Sequence, residues 1–159
     1  MANPDVVFLP SVLDRLLDDG ANTSRPRSRA QQLIELRNSV RRDLEALLNS
    51  HQRCLSPPAG LTELRQSLLE YGIPDFLTTN AAASSGREQF RASVEQTVRR
   101  FEPRFKTVKV TLAEENPVDR TLRFHIEALM YAEPAPERVS FDSQLDPSSQ
   151  SFSVVGSAG

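Results

Sequence analysis

The chain has 159 residues, a net charge of −2 and 38% hydrophobic residues. This length predicts one domain that buries about 70% of its unfolded surface without disulfides or metal. The sequence contains neither a run of 18 apolar residues nor a secretory signal pattern, so we expect no membrane insertion. The single cysteine, Cys54, can form neither an internal disulfide nor a zinc site. These features predict a reduced, cytoplasmic protein.

The near-neutral total charge hides an asymmetry, because 17 of the 19 cationic residues are arginine. Two blocks, 20–53 and 87–112, each carry a net charge of +4 and alternate with acidic blocks. Arginine-rich blocks are compatible with nucleic-acid binding. Arginine is also enriched, and lysine depleted, at protein interfaces. The acidic total and the scarcity of lysine and aromatic residues argue against nucleic-acid binding. The alternating charge blocks suit a small adaptor that contacts several proteins.

Helical periodicity dominates the first two thirds of the chain. Residues 1–27 are predicted to form an N-terminal arm, with a short amphipathic helix near 11–19 followed by a linker. Ser28 and Gln31 have the spacing of a capping box. The main helices are predicted over 28–49, 62–71 and 85–100, and Pro103 prevents the last one from continuing.

After Pro103 the hydrophobic period changes from 3.6 to 2, which is typical of strands with one buried face. Strands are predicted at about 105–112, 121–131, 138–145 and 151–155. Helices first and strands after predict an α+β fold: three main helices plus a short N-terminal helix, packed on one face of a mostly antiparallel sheet of about four strands. Residues 28–156 are therefore predicted to form a single domain.

The chain has few candidates for chemistry. It contains no phosphate-binding glycine loop, no HExxH and no nucleophile elbow. Of its two histidines, His51 falls in a loop and His125 on the solvent-side phase of a strand. We therefore predict no catalytic residue, no metal site, no cofactor and no small-molecule substrate.

The segment Phe101-Glu102-Pro103-Arg104-Phe105 lies where helix changes to strand. Proline fixes its own backbone angle and biases the preceding residue toward extended geometry, so the two charged side chains keep a defined separation. One interpretation is a structural turn with an ordinary ion pair. The other is an exposed recognition corner, whose arginine donates in a bidentate manner to a partner carboxylate.

Several segments, in this order and spacing, resemble the TssE family of baseplate wedge subunits from bacterial type VI secretion systems. That family belongs with the lysozyme-like baseplate proteins of contractile phage tails. The segments that carry the resemblance are residues 11–19, 39–49, 64–76, 101–105 and 141–146. The family label does not imply hydrolase activity.

The resemblance implies an assembly role and no enzymatic one. Its expected partners are the baseplate proteins TssF, TssG and TssK, the spike VgrG and the sheath proteins TssB and TssC. The expected place is the cytoplasmic side of the inner membrane. The Glu-Pro-Arg motif of the family corresponds to Glu102, Pro103 and Arg104 and resembles the element needed for sheath assembly. Many relatives are expected to have Thr-Arg where Ser50 and His51 stand. This sequence departs from that pattern and has its nearest arginine at Arg53.

A hypothesis for sheath initiation is that the protein presents an open sheet edge to an exchanged strand. The strands 138–145 and 151–155 are the candidates for that edge. Two other classes of protein stay open at this point. A peptidoglycan hydrolase predicts release of soluble fragments from cell wall, and a nucleic-acid module predicts binding with steep salt dependence.

Overall fold

The computed structural model describes residues 12–17, 28–53, 58, 60–61, 63–64, 67–74, 84–113, 121–132, 135–146, 149 and 151–156. Within these residues, three helices precede four strands, as the α+β prediction requires. The elements are α1 (Val12–Leu17), α2 (Arg29–Leu48), α3 (Ser84–Phe101), β1 (Phe105–Leu112), β2 (Leu122–Met130), β3 (Glu137–Asp146) and β4 (Ser151–Gly156). The predicted division into an arm and a domain stays a prediction.

Helix α2 begins at the predicted capping box. The backbone N–H of Gln31 donates to the Ser28 hydroxyl, and the Gln31 side chain accepts from the Ser28 N–H. This exchange satisfies two of the donors that a helix N-terminus otherwise leaves without partners. The helix ends at Asn49, where φ is −86°. This conformation is not left-handed, and the Asn49 side chain contacts β4, as described below.

The four strands form one antiparallel sheet in the order β1-β2-β3-β4. Their alternating residues point to one side and form the core with the apolar stripes of α2 and α3. The opposite side of the sheet carries exposed or half-buried residues in every strand. The prediction of an antiparallel sheet with helices on one face is thus confirmed. The core residues with the least exposure are Val40, Leu44, Leu48, Val94, Val98, Ile126 and Met130.

One of the three predicted main helices, the one over 62–71, is not confirmed. At Ser67 the backbone is extended, with ψ of 169°, and only a single 3₁₀ turn follows at Leu68–Glu70. An extended residue interrupts the hydrogen-bond ladder that an α-helix needs. Leu68 is 82% exposed, so the leucine spacing that predicted the helix does not form a buried stripe here.

Instead, residues 67–74 form a strap along the end of α2. The N–H of Ile73 donates to the Ser50 C=O at 2.8 Å, and the N–H of Gln52 donates to the Ile73 C=O at 2.9 Å. The Gln52 side chain also donates to the C=O groups of Glu70 and Gly72. Ile73 is 2% exposed and anchors the strap in the core.

The N-terminal helix is present as α1 but does not belong to the helical layer of the core. Its described apolar side chains, Val12, Leu13 and Leu16, are all exposed. The flanking residues of the predicted arm, and Cys54, lie outside the described residues. None of the helices described is long and apolar enough to span a membrane.

The strap generates a prediction at Gly72. Its φ of +104° is a conformation that residues with a Cβ adopt rarely, and a Cβ there would lie 2.3 Å from the Ser50 carbonyl oxygen. Gly72→Ala should lower the free energy of unfolding by more than about 1 kcal/mol, measured by urea denaturation. Gly60→Ala is the matched control, because nothing lies within 4 Å of its added Cβ. Equal stability of the two variants would contradict this account.

Candidate functional site

The Glu102-Pro103-Arg104 motif forms a tight corner between α3 and β1. The Glu102 N–H makes the last helical bond, to the Val98 C=O, and the Glu102 C=O accepts from the Phe105 N–H. This second bond closes a turn that has Pro103 at its second position, where the fixed φ of proline is favoured. Pro103 is exposed, whereas Glu102 is only 4% exposed. The corner therefore presents its proline outward and its carboxylate inward.

Arg104 binds the buried carboxylate of Glu102 in a bidentate manner. Its Nε donates to Glu102 Oε1 at 2.6 Å, and its Nη2 donates to Oε2 of the same residue. The guanidinium also reaches α2, with Nη2 donating to Asp43 Oδ2 at 2.7 Å and Nη1 to the Ser39 hydroxyl at 3.2 Å. A single side chain thus joins the corner to the middle of α2. We call Ser39, Asp43, Glu102 and Arg104 the corner cluster.

Electrostatics keep the Arg104 guanidinium charged. Burial lowers the pKa of Arg104, but hydrogen bonds and charge from Glu102, and then from Asp43, outweigh it and raise that pKa above its ordinary value. The phenol of Tyr71 lies in the field of the same two carboxylates. Burial, Asp43 and Glu102 all raise the Tyr71 pKa, so the hydroxyl stays neutral beside them.

The strap packs against this corner through aromatic contacts. The rings of Tyr71 and Phe101 meet edge to face with centroids 5.2 Å apart. On the same ring of Phe101, the Arg100 guanidinium carbon lies 5.1 Å from the centroid, within the range of a cation–π interaction. Arg100 also lies 3.9 Å from the Glu70 carboxylate. The strap, α3 and α2 therefore converge on one place.

This geometry does not fit the interpretation of an exposed arginine that offers two donors to a partner. Four of the five N–H groups of Arg104 are directed at Glu102, Asp43 and Ser39. The Arg104 side chain is 16% exposed. The structure favours the internal ion pair, and the sequence motif could not indicate Ser39 and Asp43, which lie more than sixty residues earlier.

A second arrangement, which the sequence analysis missed, closes the β1 edge of the sheet. From α3, Arg91 donates to the Val110 C=O at 3.0 Å, and Glu95 accepts from the Val110 N–H at 3.1 Å. One turn further on, Arg99 donates to the Val108 C=O at 3.1 Å. Glu95 also binds both arginines at 2.9 Å. Three charged side chains thus occupy main-chain groups that an edge strand would otherwise expose.

Helix α2 closes the β4 edge with the same spacing of residues. Arg41 binds Glu45 at 3.0 Å and donates to the Val154 C=O at 3.1 Å. The Asn49 amide donates to the Phe152 C=O at 2.9 Å and accepts from the Phe152 N–H at 2.8 Å. The signal in the sequence is a basic, an acidic and a polar residue at successive i+4 positions, 41-45-49 in α2 and 91-95-99 in α3.

The sheet order also corrects the open-edge hypothesis. Strand β3, which contains the candidate 138–145, is paired on both sides, with β2 and β4, and is not an edge. Strand β4 is an edge, but the N–H and C=O of Phe152 and the C=O of Val154 are bound by the side chains of Asn49 and Arg41. A further strand can therefore pair with β4 only after these α2 side chains release its main-chain groups.

The histidines do not form a reactive site among the described residues. His125 lies on the open face of the sheet, as predicted, with Nδ1 2.7 Å from Asp142 and Nε2 3.6 Å from Glu127. His51 forms an isolated bridge with Ile73 of the strap. In the described part of the chain, no group of three His, Cys, Asp or Glu side chains is placed to hold a metal ion.

The described residues thus form an α+β fold in which α2 and α3 pack on one face of a four-stranded antiparallel sheet. The family model of baseplate wedge protein gp25 matches residues 34–135, which include most of α2 and all of α3, the corner, β1 and β2. The chain therefore belongs to the baseplate wedge protein gp25 family, as a TssE-like member, and the predicted resemblance is confirmed. The family is a structural one in baseplates. A comparison with curated proteins found no match.

The corner cluster generates a prediction of stability. Arg104→Ala leaves the buried carboxylate of Glu102 without its main partner, and loss of one member of a buried pair lowers the free energy of unfolding by about 3 kcal/mol. Urea denaturation measures this loss. Arg138→Ala, on the exposed face of β3, is the control and should change stability by less than about 0.5 kcal/mol. Similar values for the two variants would mean that the ion pair contributes little.

The β1 edge generates a prediction of pH dependence. Burial raises the pKa of Glu95, but the Val110 N–H, Arg91 and Arg99 outweigh it, and the pKa falls below its ordinary value of 4.5. As the pH falls below 4.5, the Glu95 carboxylate is protonated in the unfolded chain before it is protonated in the folded one. The contribution of Glu95 to the free energy of unfolding is therefore present above pH 4.5 and is lost as the pH falls further. The free energy of unfolding of Glu95→Gln should therefore depend less on pH between 4.5 and 3. Gln89→Ala, which removes an exposed side chain of α3 that does not titrate, should retain the wild-type slope.

Proposed function

We propose that this protein is a structural wedge subunit of a type VI secretion baseplate that helps to start assembly of the contractile sheath. The observation that carries the proposal is the family match, which extends over most of α2, all of α3 and the corner motif. The proposed partners are TssF, TssG and TssK in the wedge, the spike VgrG and the sheath proteins TssB and TssC. The proposed location is cytoplasmic, at the baseplate facing the inner membrane. In this role the protein is not an enzyme.

In this proposal, Glu102, Pro103 and Arg104 form the assembly motif by holding surfaces in place. Arg104 joins α2 to the corner, and the strap packs on Phe101 beside it. Movement of this corner would change the relative positions of α2, α3 and the first strand together. Pro103 is the exposed member of the motif and is proposed to contact a wedge partner directly.

Sheath initiation by strand exchange is proposed to use the β4 edge. The β1 edge is held by a network of three charged side chains. The β4 edge is held by one neutral amide and one arginine. Charge-assisted hydrogen bonds are about twice as strong as neutral ones, so an incoming strand displaces the α2 side chains more readily than those of α3.

The geometry of the corner does not support a peptidoglycan hydrolase. Such enzymes use two carboxylates that face each other across a cleft with room for the sugar. Here the neighbouring carboxylates Asp43 and Glu102 bind the same guanidinium. A nucleic-acid interface is also not favoured, because Arg41, Arg91, Arg99 and Arg104 contact groups within the chain.

The test is co-expression of Arg104→Ala with TssF and TssG, and with the sheath proteins, followed by copurification and imaging of sheaths. We expect loss of at least 90% of both the complex and the full-length sheaths, because the corner no longer fixes α2. Arg138→Ala should assemble like the wild type. Circular dichroism establishes that each variant is folded. A folded Arg104→Ala protein that forms normal numbers of full-length sheaths would refute the role of the motif.

A further inference from the structure

Edge strands must be protected, because their free main-chain groups can pair with another chain. Charged side chains on the strand itself are a common protection, and lysine is frequent in this role. Strand β1 carries Lys106 and Lys109, whereas β4, with the sequence Ser-Phe-Ser-Val-Val-Gly, carries no charge. The intrinsic protection of the two edges of this sheet is therefore unequal.

The side chains that α2 places on β4 provide the protection against pairing that the strand itself lacks. In an antiparallel ladder, a residue exchanges its N–H and C=O with one residue of the neighbouring strand. The Asn49 amide makes both of these bonds with Phe152, at 2.8 and 2.9 Å. One side chain thus reproduces the hydrogen bonds of one residue of a fifth strand.

Asn49 is held in this orientation by a third bond. Its Nδ2 also donates to the Glu45 C=O at 2.8 Å, within α2. The Arg41 guanidinium, two turns earlier, covers the Val154 C=O. The side chains of Phe152 and Val154 themselves lie in the core, so pairing at this edge involves only their main-chain groups.

We propose that Asn49, assisted by Arg41, prevents β4 of this chain from pairing with β4 of a second copy. The second copy is the matching partner because the strand is uncharged and rich in valine, and an identical strand meets it in antiparallel orientation without electrostatic repulsion. The exposed side chains that would lie beside each other are small or apolar, with Val155 62% exposed.

The experiment compares self-association of the wild type and Asn49→Ala by sedimentation velocity over a range of concentrations. We expect Asn49→Ala to dimerise at least tenfold more tightly than the wild type. In dilute solution, hydrogen exchange at the Phe152 amide should be at least tenfold faster in the variant, because its acceptor is lost. The same amide should become protected again at concentrations where the dimer forms.

Three further variants make the outcome specific to this edge. Asn38→Ala removes an exposed asparagine of α2 and should behave like the wild type. Adding Val155→Lys to Asn49→Ala places a lysine on the edge strand of each copy, which is the protection that β1 already has, and should restore the monomer. Arg41→Met frees the Val154 C=O but leaves the contacts of Asn49 with Phe152 in place, and it should dimerise more tightly than the wild type. It therefore tests the proposal even if Asn49→Ala does not fold.

Two results would overturn the proposal. One is a folded Asn49→Ala protein that self-associates no more than the wild type. If Asn49→Ala does not fold, the same result for Arg41→Met overturns the proposal. The other is self-association that Val155→Lys does not reverse, because that would place the contact away from β4.

Discussion

The buried ion pair between Glu102 and Arg104 is the interaction on which the arrangement of the helices and the sheet depends. A carboxylate that is 4% exposed is unfavourable unless a cation and hydrogen bonds compensate for its lost hydration. Arg104 compensates for it and at the same time binds Asp43 and Ser39 of α2. The chain therefore satisfies a buried charge and sets the position of α2 relative to the corner with the same atoms.

The side chains that bind the two edge strands make a second kind of contact, which connects α3 to β1 and α2 to β4. Both long helices place a basic residue and an acidic residue one turn apart. In α3 both residues bind main-chain groups of β1, whereas in α2 the arginine binds β4 and is itself held by the acidic residue. Isolated i,i+4 ion pairs add only about 0.3–0.5 kcal/mol to a helix. Here the same pairs also satisfy carbonyl and amide groups of the sheet. The arginine asymmetry of the composition is thus partly structural, since the planar, multidentate guanidinium binds a carboxylate and a carbonyl together.

The sequence predicted the parts of the fold that depend on local periodicity. Strands β1 to β4 follow a period of two, and each has one buried face. The prediction of a helix over 62–71 was wrong because leucine spacing does not reveal whether another surface is available to bury the leucines. Leu68 has no such surface and is exposed. Glu102 and Arg104 could be placed together from the intervening proline. Their partners Ser39 and Asp43 could not, because they meet the corner only through tertiary packing. For the edge contacts, the i+4 pattern of charged and polar residues is visible in the sequence, but its targets are not, because they are main-chain atoms.

The main-chain contacts at Val108, Val110, Phe152 and Val154 have a consequence for sequence variation. A hydrogen bond to an amide or a carbonyl group does not depend on the identity of the residue that supplies it. The edge strands can therefore exchange one apolar residue for another while the edges stay closed. The helical residues that reach them cannot vary as freely, because each must provide a donor or acceptor of the right length. In relatives that keep these contacts, we expect constraint at positions 41, 49, 91 and 95 to exceed that at the outward positions of β1 and β4.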